Sequence, residues 1–412
     1  MRDTDTGGCK RNMKKILGYL SYIGYEFYYV FCLVISIFAR KITFYKDMWL
    51  ISERKTDGRD NGYHFFKYMC ANHPEINCVF VILKNSPDYE KIKKIGKVIE
   101  PFTFSHMLAF ACASVRISTH YMGCAPDSYR FAVLKRLNLI WGKDVILRHG
   151  ITANDLTELH YPNARADLLV CSAVPEYEFM KKNYNYPDGV IQRLGLCRFD
   201  RLSEEHEEKN QILIMPTWRY FLRNLTDDEF KKSRYFNEFN KIISNKELHK
   251  ALDENNFDIV FYLHIELQKF SHLFKSENEH IKIKEASSAD VQKLLMESKL
   301  LITDYSSIFF DFAYMQKPLL YLQFDEKEFY ASQYARGYFN CRRDGFGPVA
   351  TDGEGAARFI LQKLNGNMEP DGIYLERARS FFGEDGKNDC EKSNCKNKHC
   401  KKTYEAISKL LN

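Results

Sequence analysis

The strongest constraint on this chain is the rhythm of its apolar runs. Short apolar segments at 48–53 (MWLISE), 77–83 (NCVFVIL), 114–120 (SVRISTH), 144–150 (DVILRHG) and 167–173 (DLLVCSA) are bounded by polar or turn residues. Helical patterns such as 62–71 and 104–113 separate them. Runs this short and this apolar read as strands buried on both faces, and their alternation with helices predicts a parallel α/β sheet. A polar stretch, DRLSEEHEEKN at 200–210, then interrupts the rhythm. It restarts at 211–217 (QILIMPT), 258–264 (DIVFYLH), 280–285 (HIKIKE), 299–306 (KLLITDYS) and 317–324 (KPLLYLQF). A chain of 412 residues is too long for one ordinary core. The expected fold class is therefore α/β, with two doubly wound Rossmann-like domains at 48–203 and 204–375. A basic N-terminal segment (1–47) precedes them, and a polar tail rich in Cys and Lys (376–412) ends in a helix.

The N-terminal segment carries its own signal. Residues 16–39 are apolar apart from Glu26 and are flanked by Lys10, Arg11, Lys14 and Lys15 before and by Arg40 and Lys41 after. Their length permits a membrane span. Tyr19, Tyr22, Tyr25, Tyr28 and Tyr29 crowd the first half, however, and Glu26 is costly at a bilayer centre. A helix lying on an anionic membrane surface, a single span, and a helix buried on the protein itself are the three readings; the first fits the basic flanks.

Net charge is only +6, and no Lys/Arg track interleaved with aromatics appears, so nucleic acid is not an expected partner. The twelve cysteines mostly stand singly in apolar contexts, consistent with reduced thiols in the cytosol. Cys390, Cys395, His399 and Cys400 lack the spacing of a standard zinc site, and neither a metal nor a cofactor is expected.

In open parallel sheets ligands bind beyond the carboxyl ends of strands, so the residues after each run are the candidates. They are His149, Gly150, Ile151, Thr152 and Ala153 after the fourth run, Arg198 within GLCRFD, and Pro216, Thr217 and Arg219 within PTWR. Tyr262, Leu263 and His264 follow in the second series, and then Asp304, Ser306 and Ser307. Ser306 and Ser307 are expected in the first turn of a helix, where backbone N–H groups and hydroxyls attract an anion; a plain serine cap is the alternative. Asp304 would orient that turn, since a carboxylate repels phosphate. Asp311, inside the apolar helix, needs a buried partner or a ligand hydroxyl. His149 beside Gly150 suits a general base at the point where backbone can approach a ligand. Arg198 and Arg219 could offset phosphate charge.

Taken in order, HGITAND (149–155), GLCRFD (195–200), PTWR (216–219), FYLH (261–264), LITDYSSIFFDF (301–312), KPLLYLQFD (317–325) and RGYF (336–339), with WLISERKTDGRDNGYHFFKYM (49–69) before them, resemble the CDP-glycerol glycerophosphotransferase family of teichoic acid polymerases and primases. The resemblance covers about residues 48–350. It implies a GT-B-like fold and transfer of glycerol phosphate from CDP-glycerol to a lipid-linked polyol phosphate or glycan acceptor, with release of CMP, at the cytoplasmic face of a bacterial membrane. Carried over, the CDP-glycerol contacts are His149, Gly150, Ile151, Thr152, Ala153, Arg198, Pro216, Thr217, Arg219, Tyr262, Leu263, His264, Ser306, Ser307 and Asp311, with His149 as base and His264 on the diphosphate. Ile-Thr-Ala after His-Gly, and GLCRFD, depart from the teichoic pattern and point toward a capsule or other surface-polymer branch, leaving CDP-ribitol or another CDP-polyol open as donor. A sugar-nucleotide glycosyltransferase and a non-catalytic, membrane-anchored nucleotide-binding scaffold are the alternatives.

Overall fold

A computed structural model describes residues 25, 27–285, 290–333, 335–383 and 397–412. Its core elements are two parallel sheets. The first contains β1 (Trp49–Ser52), β2 (Cys78–Val81), β3 (Lys97–Ile99), β4 (Val115–Ser118), β5 (Lys143–Ile146), β6 (Leu168–Cys171) and β7 (Ile191–Arg193), in the order β3-β2-β1-β4-β5-β6-β7. The second contains β8 (Gln211–Ile214), β9 (Asp258–Tyr262), β10 (Ile281–Lys284), β11 (Leu300–Thr303), β12 (Leu319–Leu322) and β13 (Val349–Ala350), in the order β10-β9-β8-β11-β12-β13. Both orders double back after the third strand, the doubly wound pattern in which a crevice opens where the order reverses. In the first sheet the reversal lies between β1 and β4, in the second between β8 and β11.

The apolar runs are apolar throughout because both faces are covered: every residue of β1, β8, β11 and β12 is buried. Ile212, Ile214, Ile259, Phe261 and Ile302 face one layer of helices, and Leu213, Val260 and Leu301 face the other. That alternation is the two-residue period of a strand.

The chain forms two compact units, one of residues 1–147, 161–169 and 404–412, the other of 148–160 and 170–403. These take in different residues from the boundary expected near 203. The reason is visible inside the second unit: Phe199 stacks on Tyr314 at 4.1 Å, and Arg198 pairs with Asp311 at 2.7 Å, so the segment around 198 packs with the later half of the chain.

Of the N-terminal segment, residues 16–24 and 26 lie outside the described residues. A helix covers 27–39, and among the described residues no helix is long and apolar enough to cross a membrane. One face of this helix, Tyr29, Cys32 and Ala39, is buried, with Tyr29 edge-on to Phe131 at 4.8 Å. The other face, Phe27, Val30, Phe31, Val34, Ile37 and Phe38, is more than half exposed at every position.

Candidate active site at the second sheet

The reversal point of the second sheet carries most of the candidate residues. Beyond β8 the chain runs through Pro216 and Thr217, and beyond β11 through Asp304, Tyr305, Ser306 and Ser307. Asp304 ties the two ends together: its Oδ1 accepts the Thr217 N–H at 2.8 Å and the Tyr305 N–H at 2.6 Å. Its other oxygen lies 2.9 Å from the Arg219 guanidinium. Arg219 also donates to both oxygens of Asp325, at 2.6 and 3.0 Å, and is fully buried. Burial opposes its charge, Asp304 and Asp325 outweigh that, and its proton is held more tightly than usual. The expectation that Arg219 offsets phosphate charge is corrected accordingly: two carboxylates already balance it inside the protein. Asp325 was not singled out from the sequence, although the acid ending KPLLYLQFD was its only available signal.

The helix after β11 spans Ile308–Tyr314, so Ser306 and Ser307 precede it rather than forming its first turn. Ser307 stands at the cap position in a helical conformation (φ −63°, ψ −9°), and its side chain makes no capping bond. Phe309 and Phe310 donate their N–H groups to the carbonyls of Ser306 and Ser307. Both serines are partly exposed. The Thr217 hydroxyl is buried with no hydrogen-bond partner, which marks an unfilled polar position at the same reversal point.

The His149 loop joins this turn. A side-chain carbon at Gly150 would lie 3.2 Å from Arg198 Nη2, a tight contact, and 3.6 Å from Ser307 Oγ, an ordinary one, so the loop passes close to both. Arg198 donates to the His149 carbonyl and, through Nε and Nη2, to both oxygens of Asp311 at 2.8 and 2.7 Å. The partner that Asp311 required is thus an arginine, and the fork-to-carboxylate geometry fixes the guanidinium plane. His149 itself is exposed, Ile151 is buried in the core, and Thr152 and Ala153 are partly buried.

His264 follows β9, the strand beside β8. Its Nδ1 accepts the Glu266 N–H at 3.3 Å, and its ring stacks on Trp218 with centroids 6.1 Å apart. Tyr262 and Leu263 are buried, their side chains in the core. The geometry therefore links His264, Trp218, Thr217, Asp304, Ser306, Ser307, Gly150, Arg198 and Asp311 through consecutive contacts at one end of one sheet. Trp218, which aligns His264, was quoted within PTWR but not assigned a role.

Among the described residues no group of three His, Cys, Asp or Glu side chains could hold a metal ion. Cys390 and Cys395 lie outside the described residues. The His399 ring is spent on the Leu194 carbonyl (3.0 Å) and the Tyr314 hydroxyl (3.1 Å). Cys400 is buried against Cys197.

Comparison with known proteins bears on this arrangement. The family profile described as CDP-Glycerol:Poly(glycerophosphate) glycerophosphotransferase matches residues 33–389. The chain belongs to this glycerophosphotransferase family. It is 33% identical over 366 residues to the minor teichoic acid biosynthesis protein GgaB of Bacillus subtilis (strain 168), covering 86% of this chain and 39% of that protein. It is 30% identical over 225 residues to the teichoic acid poly(glycerol phosphate) polymerase of Bacillus spizizenii, covering 52% of this chain and 48% of the relative. The chain thus spans less than half the length of these relatives. Among solved structures, a wall teichoic acid polymerase TagF variant soaked with CDPG superimposes with a TM-score of 0.65 at 16% identity, covering 97% of this chain and 98% of that one. A UDP-N-acetylglucosamine 2-epimerase follows at 0.51 and 12%. At these identities the likeness concerns the fold, a two-sheet α/β architecture of the GT-B-like kind.

Proposed function

We propose that this member of the glycerophosphotransferase family transfers glycerol phosphate from CDP-glycerol to a hydroxyl of a lipid-linked polyol phosphate or glycan acceptor in the synthesis of teichoic acid or a related surface polymer. The observation that carries the reading is that the His149–Gly150 loop, held by Arg198 at the His149 carbonyl, passes beside Ser307 at the reversal point of the second sheet. In this reaction the acceptor oxygen attacks the β-phosphorus, the bond from that phosphorus to the bridging oxygen breaks, and CMP leaves with the bridging oxygen. His149, exposed at the tip of its loop, takes the acceptor proton. Ser306, Ser307, the Thr217 hydroxyl and His264 hold the diphosphate, while Asp311 keeps Arg198 in place. Positioning and fixed electrostatics carry most of the rate in such transfers. Asp304 and Arg219 act behind this layer, fixing the two strand ends.

The exposed apolar face of the 27–39 helix, followed by Arg40 and Lys41, supports a peripheral seat on an anionic membrane surface, where a lipid-linked acceptor would be found. Flotation with vesicles containing anionic lipid should be lost in a Phe31→Ser/Phe38→Ser variant; unchanged flotation removes this helix as the anchor.

The test of the activity is CMP release from CDP-glycerol and, in parallel, CDP-ribitol, in the presence of membranes. His149→Ala should reduce release by about 10²–10⁴-fold while the protein stays folded. A variant with normal turnover excludes His149 as the base. Absence of both turnover and CDP-polyol binding in the wild-type chain overturns the assignment.

A further inference from the structure

Arg148, immediately before His149, has a backbone φ of +64°, a left-handed conformation that a large side chain adopts only when its surroundings impose it. Its guanidinium is buried and donates to Glu176 Oε1 at 2.6 Å and to the Thr152 hydroxyl. Glu176 lies in the first turn of the helix Val174–Asn183 and is also buried. The same Oε1 accepts the Thr152 N–H at 3.2 Å, and Oε2 accepts the Ser172 N–H at 2.9 Å. One carboxylate therefore grips both ends of the short segment 148–152, and the residues between the grips are His149, Gly150 and Ile151. Further along, the Leu156 N–H donates to the Tyr184 hydroxyl at 3.2 Å, and Gly337 lies so close to Ala153 and Asn154 that a side-chain carbon there would fall 2.2 Å from the Ala153 carbonyl oxygen.

We infer that Arg148 and Glu176 are positioning residues that fix where the His149 imidazole stands. Arg148 points inward and His149 outward from adjacent positions, so the conformation forced on the first sets the direction of the second. A buried ion pair is seldom worth more to stability than apolar packing of the same volume, so its presence beneath a strained backbone has a cost that positioning explains. Arg198 holds the His149 carbonyl from the other side. The loop is thus held between two arginine–carboxylate pairs, Arg148–Glu176 and Arg198–Asp311, at 2.6 and 2.7 Å. The catalytic consequence rests on the proposed transfer reaction; the geometric one does not.

The test compares Glu176→Gln, Arg148→Lys and the double variant Arg148→Met/Glu176→Leu with the wild type, using CMP release and the ring signals of His149 in NMR spectra of protein labelled at histidine. Glu176→Gln keeps the side chain's size and loses its charge. It should lower kcat by about 10–100-fold and change KM for CDP-glycerol by less than about threefold, because a small displacement of a reacting group costs rate before it costs binding. The His149 ring signals should shift in the same variant. Arg148→Lys, which keeps the charge, should recover about tenfold in kcat over the double variant, which keeps only the volume. Wild-type kcat together with unmoved His149 signals in folded Glu176→Gln overturns the inference, and equal rates for Arg148→Lys and the double variant do the same. If the double variant does not fold, Glu176→Gln decides. If the wild-type chain releases no CMP, the transfer reading fails, and the ring signals alone decide whether the pair positions His149.

Discussion

The two sheets share one strand order and put it to different uses. At the reversal point of the first sheet, polar groups satisfy one another. Glu53, just past β1, is buried and accepts the N–H groups of Arg59, Asp60 and Tyr63 at 2.9, 3.0 and 2.6 Å, holding the start of the helix Asn61–Asn72. At the end of β4, Ser118 donates to the His120 carbonyl at 2.7 Å, and beyond it the Cys124 thiol reaches the Leu50 and Ile117 carbonyls at 3.3 Å. His106 completes the closure. Its Nδ1 accepts the Phe102 N–H and its Nε2–H donates to the Cys124 carbonyl, which fixes a neutral ring. At the reversal point of the second sheet the arrangement differs: Asp304 and Arg219 form an ion pair in the interior, while the Thr217 hydroxyl is left without a hydrogen-bond partner and Ser306 and Ser307 are partly exposed. The same topology thus yields one end stapled shut and one end with hydrogen-bonding capacity to offer. Topology marks where a crevice can form, and the side chains decide whether it is available.

Four measurements would break or sharpen this contrast. The largest effect is expected at the interior pair of the second sheet. Asp304→Ala removes a carboxylate from a fully buried arginine and should cost about 3–5 kcal/mol in urea unfolding; a loss below 1 kcal/mol would mean Asp325 alone suffices for Arg219. Next, Ser306→Ala/Ser307→Ala should reduce CMP release by about 10²–10³-fold with little change in unfolding midpoint, since both residues are partly exposed and the Ser307 side chain makes no capping bond to the helix. Equal losses of rate and stability would place the serines with the staples instead.

The third measurement concerns pH. Burial, aided by the nearby Lys55 charge, lowers the His106 pKa from 6.5 to about 4. Between those values the unfolded chain binds a proton that folded His106 refuses, so this group's contribution to stability rises with pH in the window and is lost on acidification, by about 3 kcal/mol in full, while Glu53, raised by burial from 4.5 to about 8, contributes in the opposite sense. Urea unfolding of the wild type and His106→Gln at pH 7 and pH 4.5 isolates this contribution: the variant should lose stability relative to the wild type at pH 7 more than at pH 4.5. The smallest effect is expected from Glu53→Gln, which should leave KM for CDP-glycerol within about twofold, because its hydrogen bonds serve its own helix; a tenfold rise would show that the first sheet's end also contributes to donor binding.

Much of this architecture was legible in the sequence. Buried strands must be apolar on both faces, so ten of the thirteen described strands overlap the apolar runs, whereas β3, β7 and β13, short and only partly buried, do not; the strand-end rule led directly to His149, Thr217, His264 and Ser306. What the sequence could not carry was pairing at long range. Arg219 and Arg198 looked alike as arginines after strands, and only the fold brings Asp304 and Asp325 around the first, 85 and 106 residues away. Arg148 ends an apolar run, where a charge already looks out of place, but Glu176 is an ordinary acid in a helical first turn until the two are seen 2.6 Å apart. The two sheets change over at the polar linker between β7 and β8, as its composition suggests, but composition marks where the chain is polar, not which compact unit its flanks pack with.

Gly195, with φ +79°, leaves room for the imidazole of His399; a side-chain carbon there would sit 1.9 Å from the ring. His399 and Cys400 also take both oxygens of Asp200 through their backbone N–H groups at 2.9 Å, and residues 404–412 belong to the other compact unit. The consequence concerns biosynthesis. Neither body has its full complement of chain until the helix Lys398–Leu411 has left the ribosome. At about 5–20 residues per second, the first strand waits for tens of seconds before its unit can be completed. Completion of either body is therefore expected only after residue 398 has emerged, and nascent chains stalled before it should behave as chaperone clients rather than as finished units.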